Sequence, residues 1–296
     1  VTLASGQSAS GVIAVDSASV YWTSLHDGTV MRVPVTGGAP VILASGQLSP
    51  AHLTKDFANL FWTAASPNSE GVWRVALGGG TSVVLAPTES LVEAPGGLRV
   101  DATNLYWTNA DGTVWQLPLA GGLVIALNAG AQSIGPLGDL VVDATSVYWL
   151  NPSDGTVNKV PIGGGAPSIL ASGQNGLDHI AVDSANVYWT ATNDGSVMKV
   201  PVGGGVAVPL ASLQSYPTSL AVDATDVYWT NYAGAGSCAR GAVMKVPLGG
   251  GTPITIAADE LFPDGIAVDA TSVYWTNGVS HDLTVFNGSV MKLTPK

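Results

Sequence analysis

Three features of the sequence predict an all-β fold, a seven-bladed β-propeller of four-stranded blades that spans residues 1–296 as a single domain. They are a sevenfold internal repeat, four short strand-like segments in each copy, and an opening segment that supplies what the last copy lacks. The repeat is the text Asp, three residues, then Val/Leu-Tyr/Phe-Trp, and it begins at Asp16, Asp56, Asp101, Asp143, Asp183, Asp223 and Asp269. The matching tryptophans, Trp22, Trp62, Trp107, Trp149, Trp189, Trp229 and Trp275, lie 40, 45, 42, 40, 40 and 46 residues apart. Such a period is that of a four-stranded propeller blade.

The fifth copy shows the elements in order. His179-Ile180-Ala181-Val182 ends at Asp183, and Val187-Tyr188-Trp189-Thr190 follows. After the turn Asn193-Asp194-Gly195 comes Val197-Met198-Lys199-Val200-Pro201, and beyond Gly203-Gly204-Gly205 comes Val208-Pro209-Leu210-Ala211. Short runs rich in Val, Ile, Tyr and Trp, bounded by Gly, Asp and Asn, are strands joined by hairpins. They are named a to d from the axis outward. The chain opens on Val1-Thr2-Leu3-Ala4-Ser5-Gly6-Gln7, a near copy of the strand-d text Val41-Ile42-Leu43-Ala44-Ser45-Gly46-Gln47, and stops after a strand c, Ser289-Val290-Met291-Lys292-Leu293. The first strand is therefore expected to complete the last blade, which removes an open sheet edge.

Composition excludes several classes. Hydrophobic residues are 46% and charged residues 10%, the reverse of a disordered chain. One cysteine rules out a disulfide scaffold. Ten Lys+Arg against 21 Asp+Glu, a net charge of -11, argues against nucleic acid or an anionic membrane as partner. Apolar runs are too short for membrane insertion.

The repeated residues have structural explanations. Each Asp stands where strand a ends and is placed to accept backbone hydrogen bonds that fix the turn to strand b. The Tyr-Trp pair offers flat surfaces to adjoining blades. Arg32, Arg74, Lys159, Lys199, Lys245 and Lys292 share one position in strand c and are expected to form a solvated outer ladder, paired with acids. Glycine runs such as Gly163-Gly164-Gly165 and Gly249-Gly250-Gly251 join two strands and open no helix, so they are hairpin turns and not phosphate cradles.

Function is expected where the repeat breaks. Four residues before each Asp the ring reads Val12, His52, Gly97, Asp139, His179, Ser219 and Gly265. His52, Asp139 and His179 are large and polar on strands that converge at the axis, a set suited to a divalent metal ion or to acid/base chemistry. The alternative is a water-filled channel with its polar groups satisfied. Arg99 and Thr54 break the next ring, and Asp178 and Asp264 lie one residue earlier. The second break is loop length: Trp229 to Gly241 spans 12 residues and Trp275 to Gly288 spans 13. Loops from b to c and from d to a emerge on the face where strand a begins. Tyr232, Cys238, Arg240, His281, Asp282 and Phe286, with Glu89 and Glu93 across the ring, are thus expected at a rim beside the channel mouth, where binding sites gather.

The Tyr-Trp-Thr-Asn text at Tyr106-Trp107-Thr108-Asn109, Tyr228-Trp229-Thr230-Asn231 and Tyr274-Trp275-Thr276-Asn277 resembles YWTD-repeat propellers. Pro263-Asp264-Gly265-Ile266-Ala267-Val268-Asp269 is similar to that family and to NHL-repeat propellers. The chain departs from the YWTD pattern in its final Asp, in Leu150 in place of Thr, and in having seven blades where that family has six. The resemblance implies the fold. Its broader group includes protein-binding receptor ectodomains, gluconolactonase-like metal hydrolases and streptogramin lyases, and the catalytic residues of neither enzyme group can be matched here position by position.

The resulting expectation is a secreted, non-enzymatic module that binds a protein, peptide or glycan through Arg99, Tyr232, Arg240, His281, Asp282 and Phe286. Secretion follows from the resemblance and from a chain that starts at Val1 without Met or signal segment. The rival readings are a metal-assisted lyase or hydrolase using a divalent ion on His52, Asp139 and His179, with Arg99 steadying an anionic substrate, and a structural or assembly module.

Overall fold

Tyr-Trp segments bury both faces of a strand, which puts them inside a sheet, and the segments before and after them become their antiparallel partners. The computed structural model describes residues 1–7, 10–64, 71–87, 95–128, 137–232, 240–278 and 288–296. It forms seven four-stranded antiparallel sheets arranged as a ring, a seven-bladed β-propeller. In blade one the strands run in spatial order Ser10–Val15, Ser19–Ser24, Thr29–Pro34 and Val41–Ala44. The other inner strands are Pro50–Lys55, Gly97–Val100, Leu140–Val142, Leu177–Val182, Pro217–Val222 and Pro263–Val268.

The core lies between blades. Tyr21, Val30 and Leu43 of blade one, for example, pack with Leu53, Leu60, Trp62 and Val75 of blade two. Each strand-b aromatic removes about 200 Å² from water, roughly 5 kcal/mol at ~25 cal/mol per Å² before chain entropy is set against it. Trp62, Trp189, Trp229 and Trp275 also donate from Nε1 to Gln47, Gln174, Gln214 and Glu260, the residues that close the preceding strand d.

The repeated Asp plays the turn role expected of it. In blade four the Asp143 Oδ1 accepts from the backbone N–H groups of Thr145 at 2.7 Å and Ser146 at 2.8 Å. Its other oxygen accepts from the phenol of Tyr148 at 2.7 Å. The same phenol contact recurs at Tyr21, Tyr106, Tyr188, Tyr228 and Tyr274. In blade two, where Phe61 replaces the tyrosine, the Asn59 amide reaches Asp56 instead. The Asp-Gly turns also hold: Gly195 has φ +59°, and a Cβ there would lie 2.6 Å from the Gln214 carbonyl oxygen. Gly204 and Gly205, at φ 90° and 142°, occupy the expected c-to-d turn.

The cationic ladder differs from expectation. Its members are partly buried, and four of them staple blade to blade, the long side chain reaching a turn carbonyl of the neighbour. Arg32 donates to the Leu77 carbonyl at 2.7 Å, Lys159 to Val202 at 2.9 Å, Lys199 to Leu248 at 2.6 Å and Lys292 to Val35 at 3.0 Å. Lys245 alone among these five pairs with an acid, Asp226 at 3.6 Å. Lys159, Lys245 and Lys292 also lie over the rings of Tyr148, Tyr228 and Tyr274.

The ring closes as expected. Thr2–Gln7 pairs with Gly288–Leu293 as the fourth strand of the last blade, with Thr2 opposite Met291 and Gln7 opposite Gly288. Leu3 and Ala4 enter a core with Ile13, Trp22, Tyr274 and Val290.

Candidate functional site

The inner strands carry the side chains that face the axis, and most of them are bulged where they do so. Pairing between strands a and b slips between Ser10 and Ile13, Ala51 and Thr54, Leu177 and Ile180, Pro217 and Leu220, and Pro263 and Ile266. A bulge turns its extra residue out of the pleat, and here it presents Val12, His52, His179, Ser219 and Gly265 differently from a regular strand. His52 has φ 38°, a backbone state that a residue with a side chain seldom adopts. The strand-b threonines hold the neighbouring bulges: Thr230 donates to the Asp264 carbonyl at 2.8 Å and Thr276 to Gly11 at 3.3 Å. Leu150 cannot do this, and the next inner strand round the ring from it is that of His179.

Residues from separate blades meet as the ring reading anticipated. His52, Arg99, Asp139, His179 and Ser219 all line one axial cavity of about 240 Å³. Asp139, with 6% of its side chain exposed, lies 3.0 Å from the Arg99 guanidinium and 3.3 Å from His179 Nδ1. It also accepts from the backbone N–H of Leu140 at 2.9 Å and of Ile180 at 3.4 Å. Burial alone would raise the Asp139 pKa, but Arg99 and His179 hold it down at about 2.

The two histidines are driven apart. Burial, aided by the charges of Arg99 and His179, lowers His52 to about 4, so its imidazole is neutral at pH 7. For His179 burial acts the same way, but Asp178 and Asp139 overcome it and raise the group to about 9, so it is a cation. Asp264 is raised by burial and by Asp178. One channel thus holds a neutral imidazole acceptor, an imidazolium donor and a guanidinium.

The sequence-predicted metal set is brought to one cavity, but its carboxylate is already engaged by Arg99 and by the protonated His179. Among the described residues no three His, Cys, Asp or Glu side chains are placed to hold a metal ion. Of the rim residues, Tyr232 packs on Phe262 with ring centroids 5.5 Å apart, and its backbone N–H bonds to the Tyr216 carbonyl. Its phenol is raised by burial and by Asp264. Arg240 sits away from the axis, donating to the Asp259 carbonyl at 2.8 Å on the outer hairpin. His281, Asp282, Phe286, Cys238, Glu89 and Glu93 lie outside the described residues.

Two features were missed. Lys55 lines the cavity beside Thr54. A second depression, of about 550 Å³, is bounded by Asn193, Asp194, Leu213, Gln214 and Tyr216 on the loop face. Its signal was in the text: Ala211-Ser212-Leu213-Gln214 breaks the Ala-Ser-Gly-Gln of Ala44-Ser45-Gly46-Gln47 and Ala171-Ser172-Gly173-Gln174.

No family model matches the chain, and no curated protein matches it. Solved structures do. A catalytically inactive virginiamycin B lyase from Staphylococcus aureus with quinupristin is similar at TM-score 0.77 and 12% identity, over 99% of this chain and 97% of that one. The WD40 propeller domain of Doa1 is similar at TM-score 0.71 and 14% identity, over 98% and 95%. A chain of the nidogen/laminin complex is similar at TM-score 0.56 and 22% identity, over 66% and 76%. At these identities the likeness is one of fold.

Proposed function

We propose that this propeller is an extracellular binding module that takes a segment of a partner protein on its loop face, at the rim of blades five to seven beside the channel mouth. One observation carries the reading. Leu213 is 98% exposed and held at φ 59°, where Gly6, Gly46 and Gly173 stand in other copies at φ 69°, 71° and 71°. A left-handed leucine costs roughly 1–2 kcal/mol, and this one makes no apolar contact in return. Strain spent on an exposed apolar side chain has a use when a partner covers it. Tyr216, 49% exposed at φ 51°, repeats the pattern three residues on and shares the depression of about 550 Å³. Tyr232, half-buried, adjoins it: its backbone N–H bonds to the Tyr216 carbonyl and its ring rests on the buried Phe262.

The partner's chemistry follows from charge. Asp194 borders the depression, Asp178 and Asp264 stand at the beginning of the inner strands on this face, and the chain carries a net -11. Apolar side chains interleaved with Lys or Arg fit that surface, and the acids give the encounter its speed and specificity. The virginiamycin lyase likeness lends no activity, because the residues shown here match the fold alone. Extracellular placement rests on the Tyr-Trp-Thr-Asn resemblance. Selection from a displayed peptide library tests the reading. Enriched sequences should be basic and apolar, and Leu213→Gly or Tyr216→Ala should weaken them tenfold or more while Phe57→Ala, on the opposite face, does not. Enrichment that ignores all three changes, or a response only to immobilised glycans, contradicts it.

A further inference from the structure

Within an acidic protein, positive charge gathers in one enclosed place. Six of the ten basic residues share the ladder position of strand c, Lys296 is tied to Asp223 at 2.6 Å, and Arg240 begins a strand c and bonds to the outer hairpin. The remaining two, Lys55 and Arg99, both line the axial cavity, and His179 joins them as a third cation. Among the described residues the lining holds one acid against them, Asp139. Outside the lining, Asp16 lies 3.5 Å from Lys55 and Asp178 lies 3.9 Å from His179 Nε2, a length beyond a hydrogen bond, while Asp264 acts on His179 from the same end.

The hydrogen-bond capacity of these cations is not used up. Arg99 spends one N–H on the Leu98 carbonyl at 2.8 Å and one on Asp139, out of the five a guanidinium carries. His179 gives Nδ1 to Asp139, and its Nε2, 3.9 Å from Asp178, has no partner within hydrogen-bond distance among the described residues. Across the ring the wall is hydrocarbon: Val12, Ile13 and Ala14 of blade one, Leu220 of blade six and Ile266 of blade seven. The cavity is therefore cationic on one side and apolar on the other.

We propose that the axial cavity binds a small amphipathic carboxylate, an aliphatic or aromatic monoacid, with its carboxylate on Arg99 and His179 and its hydrocarbon body against blades one, six and seven. A volume of about 240 Å³ is that of roughly eight water-sized atoms at ~30 Å³ each, which sets the ligand's size. A guanidinium matches a carboxylate in plane and in fork, and an imidazolium adds a charge-assisted bond. His52, neutral and bonded to the Pro95 carbonyl, offers its other ring nitrogen as an acceptor, which a ligand hydroxyl can use. Asp178 and Asp264 oppose an anion at the end where the strands begin, so entry is from the Lys55 end. This site is independent of the rim.

Titration calorimetry with hexanoate, hexanamide and hexylammonium tests it, read together with NMR of the ring signals of the four histidines. Hexanoate should saturate one site, hexanamide should bind at least tenfold more weakly and hexylammonium not at all. The His52 and His179 signals should move on saturation while His26 stays. Arg99→Gln should weaken hexanoate roughly tenfold or more. Failure of hexanoate to saturate, equal binding of the amide, or unmoved His52 and His179 signals at saturation would overturn the proposal. If Arg99→Gln does not fold, the acid-to-amide ratio and the ring signals of the unaltered protein decide.

Discussion

Replacing Asp139 by Asn keeps the shape of the side chain and removes the charge on which the channel network turns. Its carboxylate is moved from 3.8 to about 2 by Arg99 and His179 against the effect of burial. At 1.36 kcal/mol per pH unit that is about 2–3 kcal/mol. Breaking a buried pair costs ~3–5 kcal/mol in general, and the lower end applies because Arg99 and His179 remain 26% exposed to the channel and can take up water. For a chain of this length the thermal midpoint should fall by about 5 °C. The pH dependence is more telling. His179 is raised from 6.5 to about 9, so its stabilisation is complete below 6.5 and lost as pH rises through 9. His52 is depressed from 6.5 to about 4, so its contribution is complete above 6.5 and lost as pH falls through 4. Stability should peak near neutrality and decline on both sides. In Asp139→Asn the alkaline decline should become shallower, since only Asp178 and Asp264 remain to favour the imidazolium. Urea denaturation midpoints from about pH 5 to about pH 10 read this directly. An alkaline limb identical in both proteins, or a variant as stable as its parent at neutral pH, would refute the reasoning.

Other outcomes follow from the repeat. Tyr148→Phe should cost about 1 kcal/mol in urea denaturation by removing the 2.7 Å bond to Asp143. Phe61→Tyr, which adds the phenol that blade two lacks, should be neutral or stabilising by up to the same amount. Lys199→Met should cost about 1 kcal/mol, because the Leu248 carbonyl loses its 2.6 Å donor while the hydrocarbon stem is retained. Deleting residues 1–7 strips the strand that covers Gly288–Leu293, and sedimentation should then show association through the bared edge.

The fold was legible because its signals are local and sevenfold: each Asp, each Tyr-Trp and each glycine turn meets the same neighbours, and the opening strand copies the missing one. The gathering of His52, Asp139 and His179 was legible for the same reason, since ring symmetry carries one strand position to one depth in the channel, with Arg99 in the ring next to it. Their chemistry was not. Nothing in the sequence tells that Arg99 turns onto Asp139, or that His52 and His179 titrate in opposite directions, because these depend on side-chain orientation and on bulges that break the strand alternation. The cationic ladder was misjudged because its acceptors are backbone carbonyls of the next blade, which no residue type announces. Lys55 escaped notice as the end of a strand, and Leu213 as one letter in a turn whose glycine is a conformational requirement.

The claim that the loop face is the working surface is tested most directly by hydrogen exchange on the protein with and without a peptide selected against it. Protection is expected in the turns around Asp194, Leu213 and Tyr216 and at Tyr232, with the outer strands and the turn at Phe57 unchanged. Protection confined to the outer strands, or to the face of Phe57, would contradict it.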